Sequence, residues 1–131
     1  MDQIAAQDWL DRYVAAWMSY EPDAIGALFS ADVAYRYHPY DKPILGREAV
    51  VASWLGESGA DDASTRDEPG TYEATYAPVA VDGDVVVAIG RSTYRRGSGG
   101  PVVRVYDNCF VMHFDSVGQC RDFTEYYHKR P

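Results

Sequence analysis

Four consecutive segments of alternating apolar and polar residues fill the second half of the chain, and they constrain its fold more than any other feature. The segments are residues 71–81, 84–95, 102–114 and 119–128. Alternation with a period of two is typical of β-strands that bury one face. Connections at Asp82-Gly83, at the glycine-rich residues 97–101 and at residues 115–118 predict an antiparallel meander. Pro78 predicts a bulge or an edge strand within the first segment.

The first half of the chain has mainly helical periodicity. A helix over about residues 3–19 is predicted by an apolar stripe of Leu10, Tyr13, Val14, Trp17 and Met18. Short helices are expected to begin at residues 22–23 and 46–48, with a strand over residues 32–38 between them. Helices followed by a meander predict a single α+β domain over residues 1–131, with the N-terminal helices packed on one face of an antiparallel sheet.

Charge and composition exclude several classes of protein. Twelve basic and twenty acidic residues give a net charge of −8, so the basic surface needed for general nucleic-acid binding is missing. The acidic N-terminus does not resemble a signal peptide, and no apolar stretch approaches the roughly 18 residues of a membrane span. We therefore expect a cytoplasmic protein without membrane contact, in which Cys109 and Cys120 are free thiols.

Motifs for cofactors and metals are lacking. His38, His113 and His128 are spread along the chain, and the Asp107–His113 span is too long for one metal ion. The glycines of residues 97–100 lack the lysine and the helix of a phosphate-binding loop. We expect neither a metal nor a cofactor. His38 is expected to be exposed, or to lie at a pocket rim as a base.

An ordered set of landmarks spans nearly the whole chain. It comprises Trp9-Leu10-x-x-Tyr13-x-x-x-Trp17, ALFSADV at residues 27–33, GREAV at 46–50, VDGDV at 81–85 and GQCRDFTEYY at 118–127. Together they resemble the SnoaL-like branch of the nuclear transport factor two-like superfamily. The resemblance implies a cone-shaped cystatin-like fold, in which a strongly curved antiparallel sheet wraps a long helix around a pocket, and it implies a homodimer.

The resemblance does not imply one activity. The superfamily includes ketosteroid isomerase, limonene-epoxide hydrolase, polyketide cyclases and many proteins that are not enzymes, so function has to be argued from the site.

The last hairpin predicts which side chains share the pocket. A two-residue or four-residue turn pairs Phe110 with Phe123, Asn108 with Glu125 and Tyr106 with Tyr127, and paired residues share one face of a sheet. That face is aromatic, with one amide and one carboxylate, which is typical of a ligand pocket. A three-residue or five-residue loop would instead turn Asp107 inward.

Glu125 is the main candidate for catalysis. Among Phe110, Phe123 and Tyr127 its carboxylate would lose solvation, so its pKa should rise and it could act as an acid or a base near neutral pH. The resemblance supports the position, because limonene-epoxide hydrolases have an aspartate in a matching terminal-strand motif. The alternative is a structural carboxylate tied to Asn108 or to an arginine.

Three further side chains are candidates for polarising a carbonyl group: Asn108, Arg91 and Tyr37. Arg91 and Thr93 share a strand face with the spacing of arginine and aspartate in the hydrolases, but threonine cannot replace the aspartate, which argues against epoxide hydrolysis. Arg91 could equally form an ion pair at the surface or in a dimer. Tyr35 and Tyr37 could either contribute phenols to the site or pack on Trp17 and Trp54.

Aromatic residues are expected to contact the ligand. The candidates are Tyr13, Trp17, Tyr35, Trp54, Tyr106, Phe110, Phe123 and Tyr127. The sequence therefore predicts either a cofactor-independent isomerase, cyclase or hydrolase for a small hydrophobic carbonyl compound, or a non-catalytic ligand-binding or dimeric scaffold protein. Residues 56–70 are acidic and almost without apolar side chains, and they could form a mobile lid.

Overall fold

The helices lie where the sequence predicts them. The computed structural model describes residues 1–56 and 67–131. Helix α1 spans Gln3–Ser19, and the Asp2 side chain caps it by accepting a hydrogen bond of 2.8 Å from the backbone N–H of Ala5. Helix α2 spans Pro22–Gly26 and helix α3 spans Arg47–Trp54.

The buried face of α1 differs in part from the predicted stripe. Its buried residues are Ala6, Trp9, Leu10, Tyr13 and Ala16. Met18 was expected on this face but is 53% exposed. A face centred on Trp9 and Tyr13 turns Met18 toward solvent, because each residue advances about 100° around a helix.

The sheet has six strands and is mixed. The strands are β1 (Phe29–Arg36), β2 (Ile44–Leu45), β3 (Tyr72–Asp82), β4 (Val85–Arg95), β5 (Val102–Phe114) and β6 (Cys120–Lys129). Their order is β2-β1-β6-β5-β4-β3. The predicted antiparallel meander comprises β3 to β6, but β1 pairs with β6 in parallel. Helices packed on this sheet form an α+β architecture consistent with the expected cone.

Irregularities in strand pairing bend the sheet. The register shifts between Pro78 and Ala80 on β3, which is an edge strand, as the proline predicted. The β3–β4 turn consists of Gly83-Asp84, one residue later than predicted, and Gly83 has a φ of +60° that suits glycine. Because bulges increase local twist and bend strands, such shifts favour a curved sheet.

The predicted register of the last hairpin is wrong by two residues. Phe110 pairs with Glu125, and Asn108 pairs with Tyr127. The loop between Phe114 and Cys120 has an odd number of residues, which by itself would exchange the two faces of the hairpin. A register shift beside His113 restores the original faces. Because side chains alternate with a period of two, a net shift of two keeps each of them on the predicted face.

Aromatic packing dominates the core. Trp9 stacks on Tyr13 with ring centroids 5.6 Å apart, and its indole N–H donates to the carbonyl oxygen of Leu28 at 2.9 Å. Tyr35 stacks on Phe123 at 4.7 Å with nearly parallel rings. Cys109 and Cys120 are free thiols, as expected. The proposed lid, residues 56–70, lies mostly outside the described residues.

Candidate active site

A cavity of about 210 Å³ lies between α1 and the face of the sheet that α1 covers. Its wall is formed by Tyr13, Trp17, Tyr37, Tyr72, Tyr76, Ser92, Tyr94, Arg104, Tyr106, Asn108, Glu125 and Tyr127. Tyrosines make up most of this wall. Because each tyrosine combines an apolar ring with a hydroxyl group, the cavity can hold an apolar molecule and also hydrogen-bond its polar atoms.

Within the part of the chain that the structure describes, Glu125 is the one carboxyl group in this wall. It lies two residues before Tyr127 on β6, so strand alternation places both side chains on the same face. Burial raises the pKa of Glu125 from 4.5 to about 8. Among residues 1–56 and 67–131, no side chain forms a hydrogen bond or an ion pair with it. Glu125 is therefore protonated at neutral pH and faces the cavity as a proton donor.

The tyrosines around Glu125 also have pKa values that are raised by burial. Burial is the main cause that raises the pKa of Tyr13 and of Tyr76, and a negative charge on Glu125 raises both further. These tyrosines remain neutral at physiological pH, so each keeps an O–H group that can donate a hydrogen bond.

Asn108 contributes a second polar side chain to the wall, and it is buried, with 6% of its surface exposed. Its Nδ2 donates to the hydroxyl oxygen of Tyr76 at 2.7 Å and to Ser92 Oγ at 3.1 Å. Both amide hydrogens are thereby engaged, and Oδ1 has no hydrogen-bond partner within the described residues. Asn108 thus holds the Tyr76 and Ser92 side chains in place in the wall.

Tyr37 lines the cavity, and its hydroxyl group lies 2.8 Å from Ser53 Oγ. The aromatic candidates separate into two sets. Tyr13, Trp17, Tyr106 and Tyr127 line the cavity. The other four are fully buried beneath it and do not line it: Tyr35, Trp54, Phe110 and Phe123. Their large rings fill the core, so they support the cavity wall from behind.

Arg91 lies on the opposite face of the sheet from Glu125. Its Nε is 3.4 Å from Asp107 Oδ1, and both side chains are about half exposed. They line a shallow groove on the outer face instead of the cavity. The cause is strand parity: β4 directs Ser92 and Tyr94 inward, so Arg91 and Thr93 point outward. The structure gives Arg91 no place in the site.

Five residues of the wall were missed by the sequence reasoning. They are Tyr72, Tyr76, Ser92, Tyr94 and Arg104. The signal was present in the alternation of the strands, since Tyr72 and Tyr76 lie on one face of β3, and Ser92 and Tyr94 lie on one face of β4. The β3–β4 hairpin brings the two sets onto one face, where Tyr72 pairs with Tyr94.

Two charged side chains, Arg104 and Asp67, contact aromatic residues of the cavity wall. The guanidinium of Arg104 lies 4.4 Å from the centre of the Tyr94 ring. The carboxyl group of Asp67 accepts hydrogen bonds of 3.2 Å from Trp17 Nε1 and from the Tyr20 hydroxyl. Burial raises the pKa of Asp67, whereas these two hydrogen bonds lower it.

His38 contacts one residue of the cavity wall, Tyr127. Its Nε2 is 2.7 Å from the hydroxyl oxygen of Tyr127, and its Nδ1 is 2.9 Å from Asp41 Oδ2. His38 is half-buried and does not itself line the cavity. The sequence predicted that His38 is exposed or lies at the pocket rim. In the structure its contact with the cavity wall is the one with the Tyr127 hydroxyl group.

Residues 1–56 and 67–131 contain neither a metal-binding cluster nor a membrane-spanning helix. No group of three or more His, Cys, Asp or Glu side chains is placed to hold a metal ion. In the same part of the chain, every helix is too short or too polar to cross a membrane.

Residues 10–122 match the family model of the SnoaL-like domain. This match covers most of the chain, so the chain belongs to the SnoaL-like domain family, within the nuclear transport factor two-like superfamily. No curated protein matches the sequence. The resemblance and the fold class inferred from the sequence are confirmed. The homodimer stays a prediction, because the structure contains a single chain, and the cytoplasmic location also stays a prediction.

Proposed function

We propose that this protein is a cofactor-independent enzyme that performs acid/base chemistry on a small hydrophobic molecule carrying a carbonyl group. Isomerisation, cyclisation, dehydration and hydrolysis all belong to this class of chemistry. The observation that carries the proposal is the carboxyl group of Glu125, which is protonated at neutral pH, has no partner among the described residues and faces a cavity.

A carbonyl oxygen is the substrate atom that best suits this wall. Protonated Glu125 and the Tyr76 hydroxyl group, which accepts from Asn108 and keeps its own hydrogen, can both donate hydrogen bonds within the cavity. Donors placed around a carbonyl oxygen stabilise the negative charge that develops there in an enol-forming or addition reaction. Catalysis benefits because the acid has a pKa near the working pH.

The size of the cavity restricts the substrate. A volume of about 210 Å³ lies below the roughly 300–1,000 Å³ of sites for drug-sized ligands. Monoterpenoid ketones such as carvone therefore suit the cavity better than steroids or long polyketides. The apolar faces of Tyr13 and Trp17 would contact the carbon skeleton.

The test is a ligand screen with Glu125→Gln as the matched variant, since glutamine keeps the shape but cannot donate the acidic proton. A panel of carbonyl-containing terpenoids, steroids and polyketides is screened by thermal shift, and the bound compounds are followed for conversion by mass spectrometry. We expect a small ketone to raise the unfolding midpoint of both proteins and to be converted only by the wild type.

Two outcomes contradict the proposal. If no compound shifts the wild-type midpoint, the cavity is not a site for such ligands. If a compound stabilises both proteins equally and neither converts it, the protein is a ligand-binding module, which is the alternative function that the tyrosine-rich wall would also serve.

A further inference from the structure

A chain of hydrogen-bonding groups runs outward from the cavity wall at Tyr127. The Tyr127 hydroxyl oxygen lies 2.7 Å from His38 Nε2, and His38 Nδ1 lies 2.9 Å from Asp41 Oδ2. The same Asp41 oxygen accepts the backbone N–H of His38 at 3.1 Å. His38 and Asp41 belong to one tight turn, closed by a hydrogen bond of 3.0 Å from the Asp41 N–H to the His38 carbonyl oxygen.

The direction of these hydrogen bonds follows from Asp41. An ionised carboxylate can only accept, so His38 Nδ1 carries the hydrogen. Nε2 then has a free lone pair, and the Tyr127 hydroxyl donates to it. Because a phenol oxygen keeps two acceptor sites while it donates, Tyr127 can still accept a proton from a molecule in the cavity that it lines.

We propose that Tyr127 is a second catalytic group of the cavity, the base that removes a proton from the carbon next to the substrate carbonyl, and that His38 and Asp41 are the positioning residues that take up its proton. This inference rests on the proposed function, for which it supplies the partner of the acid. Tyr127 and Glu125 lie two residues apart on one face of β6, so their Cα atoms are roughly 7 Å apart. A small ketone can contact both.

The proton transfers balance without any further reactant. The C–H bond next to the carbonyl breaks, and its electron pair forms the carbon–carbon double bond of an enol. The proton moves to the Tyr127 oxygen while the original hydroxyl proton passes to His38 Nε2. Glu125 gives its proton to the carbonyl oxygen. The imidazolium faces the Asp41 carboxylate, and the reverse transfers return the ketone.

Among the described residues, few side chains surround the hydrogen-bonded chain of Tyr127, His38 and Asp41. His38 faces Asp41 and Tyr40 from its own turn, with the Tyr40 ring stacked on the imidazole at 5.1 Å, and it faces Tyr127 from β6. Tyr127 packs on Tyr106 of β5 with centroids 5.6 Å apart. Burial raises the pKa of Tyr127, and the charge of Glu125 raises it further. A free phenolate is therefore disfavoured, so the base needs His38 to take its proton as the transfer occurs.

The first test needs no ligand. Long-range ¹H–¹⁵N spectra report which imidazole nitrogen carries the hydrogen, and the chain has three histidines, so His38→Gln assigns the His38 signals. We expect the Nδ1–H tautomer in the wild type and a mixture of tautomers in Asp41→Asn. An Nε2–H tautomer in the wild type, or free averaging between tautomers, overturns the proposal.

The second test measures deuterium exchange at the carbon next to the carbonyl of carvone in D₂O. We expect the wild type to catalyse exchange, and Tyr127→Phe and His38→Gln to slow it by about 100-fold or more. His128→Gln is the matched control, because His128 is exposed on the outer face of the same strand, and it should exchange at the wild-type rate.

The pH profile tests the acid that acts together with this base. Exchange by the wild type should fall above about pH 8, where Glu125 loses its proton.

The remaining outcomes distinguish a failure of the proposed function from a failure of the proposed base. A wild-type protein that binds and exchanges none of the carbonyl compounds of the panel, carvone included, contradicts the proposed function, and the base role falls with it. If Tyr127→Phe and His38→Gln exchange as fast as the wild type, the proposed function stands and only the base is overturned.

Discussion

Phe110 lies directly opposite Glu125 on neighbouring strands of the sheet. Phe110 is fully buried and stacks on Tyr76 with ring centroids 4.5 Å apart. Burial beside this aromatic ring removes water from the carboxyl group of Glu125, which raises its pKa to about 8. The pairing of these two residues thus produces the acid on which the proposed chemistry depends.

Glu125 should make the protein less stable as the pH rises. In the unfolded chain its carboxyl group ionises near its ordinary pKa of 4.5, whereas in the folded chain it keeps its proton to about pH 8. The folded state binds more protons between these values, so stability falls by at most about 1.4 kcal/mol per pH unit across that window and no further above it. Urea unfolding from about pH 5 to about pH 9 measures this slope.

The variant Glu125→Gln isolates that contribution, because glutamine does not titrate. We expect the wild type and the variant to be closest in stability near pH 5, and the variant to be the more stable protein at pH 8. Parallel stability curves across this range would show that Glu125 is solvated in the folded protein.

Asn108→Ala should destabilise the protein by about 1–3 kcal/mol. Asn108 donates to both Tyr76 and Ser92, and its removal leaves two buried hydroxyl oxygens without their donor. Urea unfolding gives the change in free energy. Ser92→Ala, which removes one of these contacts, is the control and should cost less; an equal cost would mean that the Tyr76 contact contributes nothing.

Gly90→Ala should destabilise the protein by roughly 1–3 kcal/mol, the range for inserting an extra methyl group into packed structure. A methyl group at this position would collide with the carbonyl oxygen of Thr75 and with the ring of Tyr76. Tyr76 would have to move, so the variant should also bind carvone more weakly. Thermal unfolding and a ligand titration measure the two effects.

Gly26→Ala provides the comparison for this substitution. Gly26 ends helix α2, and the nearest atom to a new methyl group there, Arg47 Cδ, is at an ordinary 3.5 Å. The free energy of unfolding of this variant should differ from that of the wild type by less than about 1 kcal/mol, and the higher helix propensity of alanine favours an increase. Equal losses in both variants would contradict the collision at residue 90.

Arg91→Ala should leave ligand binding unchanged and alter the free energy of unfolding by less than about 1 kcal/mol. The side chain is half exposed on the outer face, and Asp107 retains its hydrogen bonds of 2.7 and 3.0 Å from Arg130. Calorimetric titration with a ligand found in the screen checks the binding. A large loss of affinity would place Arg91 in the site after all.

The order of helices and strands, and the face of the sheet on which Glu125 lies, could be predicted from the sequence. Both depend on periodicity, which is a local property: a period of two places Asn108 with Tyr106, and Glu125 with Tyr127, whatever the exact register. For the same reason the two-residue error in the last hairpin did not exchange its faces.

The tertiary structure alone decided the remainder. Whether an inward-facing ring lines the cavity, like Tyr76, or lies beneath it, like Phe123, depends on where bulges bend the sheet and where α1 covers it. The contact of His38 with Tyr127 joins residues 89 positions apart. Such a contact arises from the pairing of β1 with β6, a long-range arrangement of backbone hydrogen bonds that local side-chain patterns do not encode.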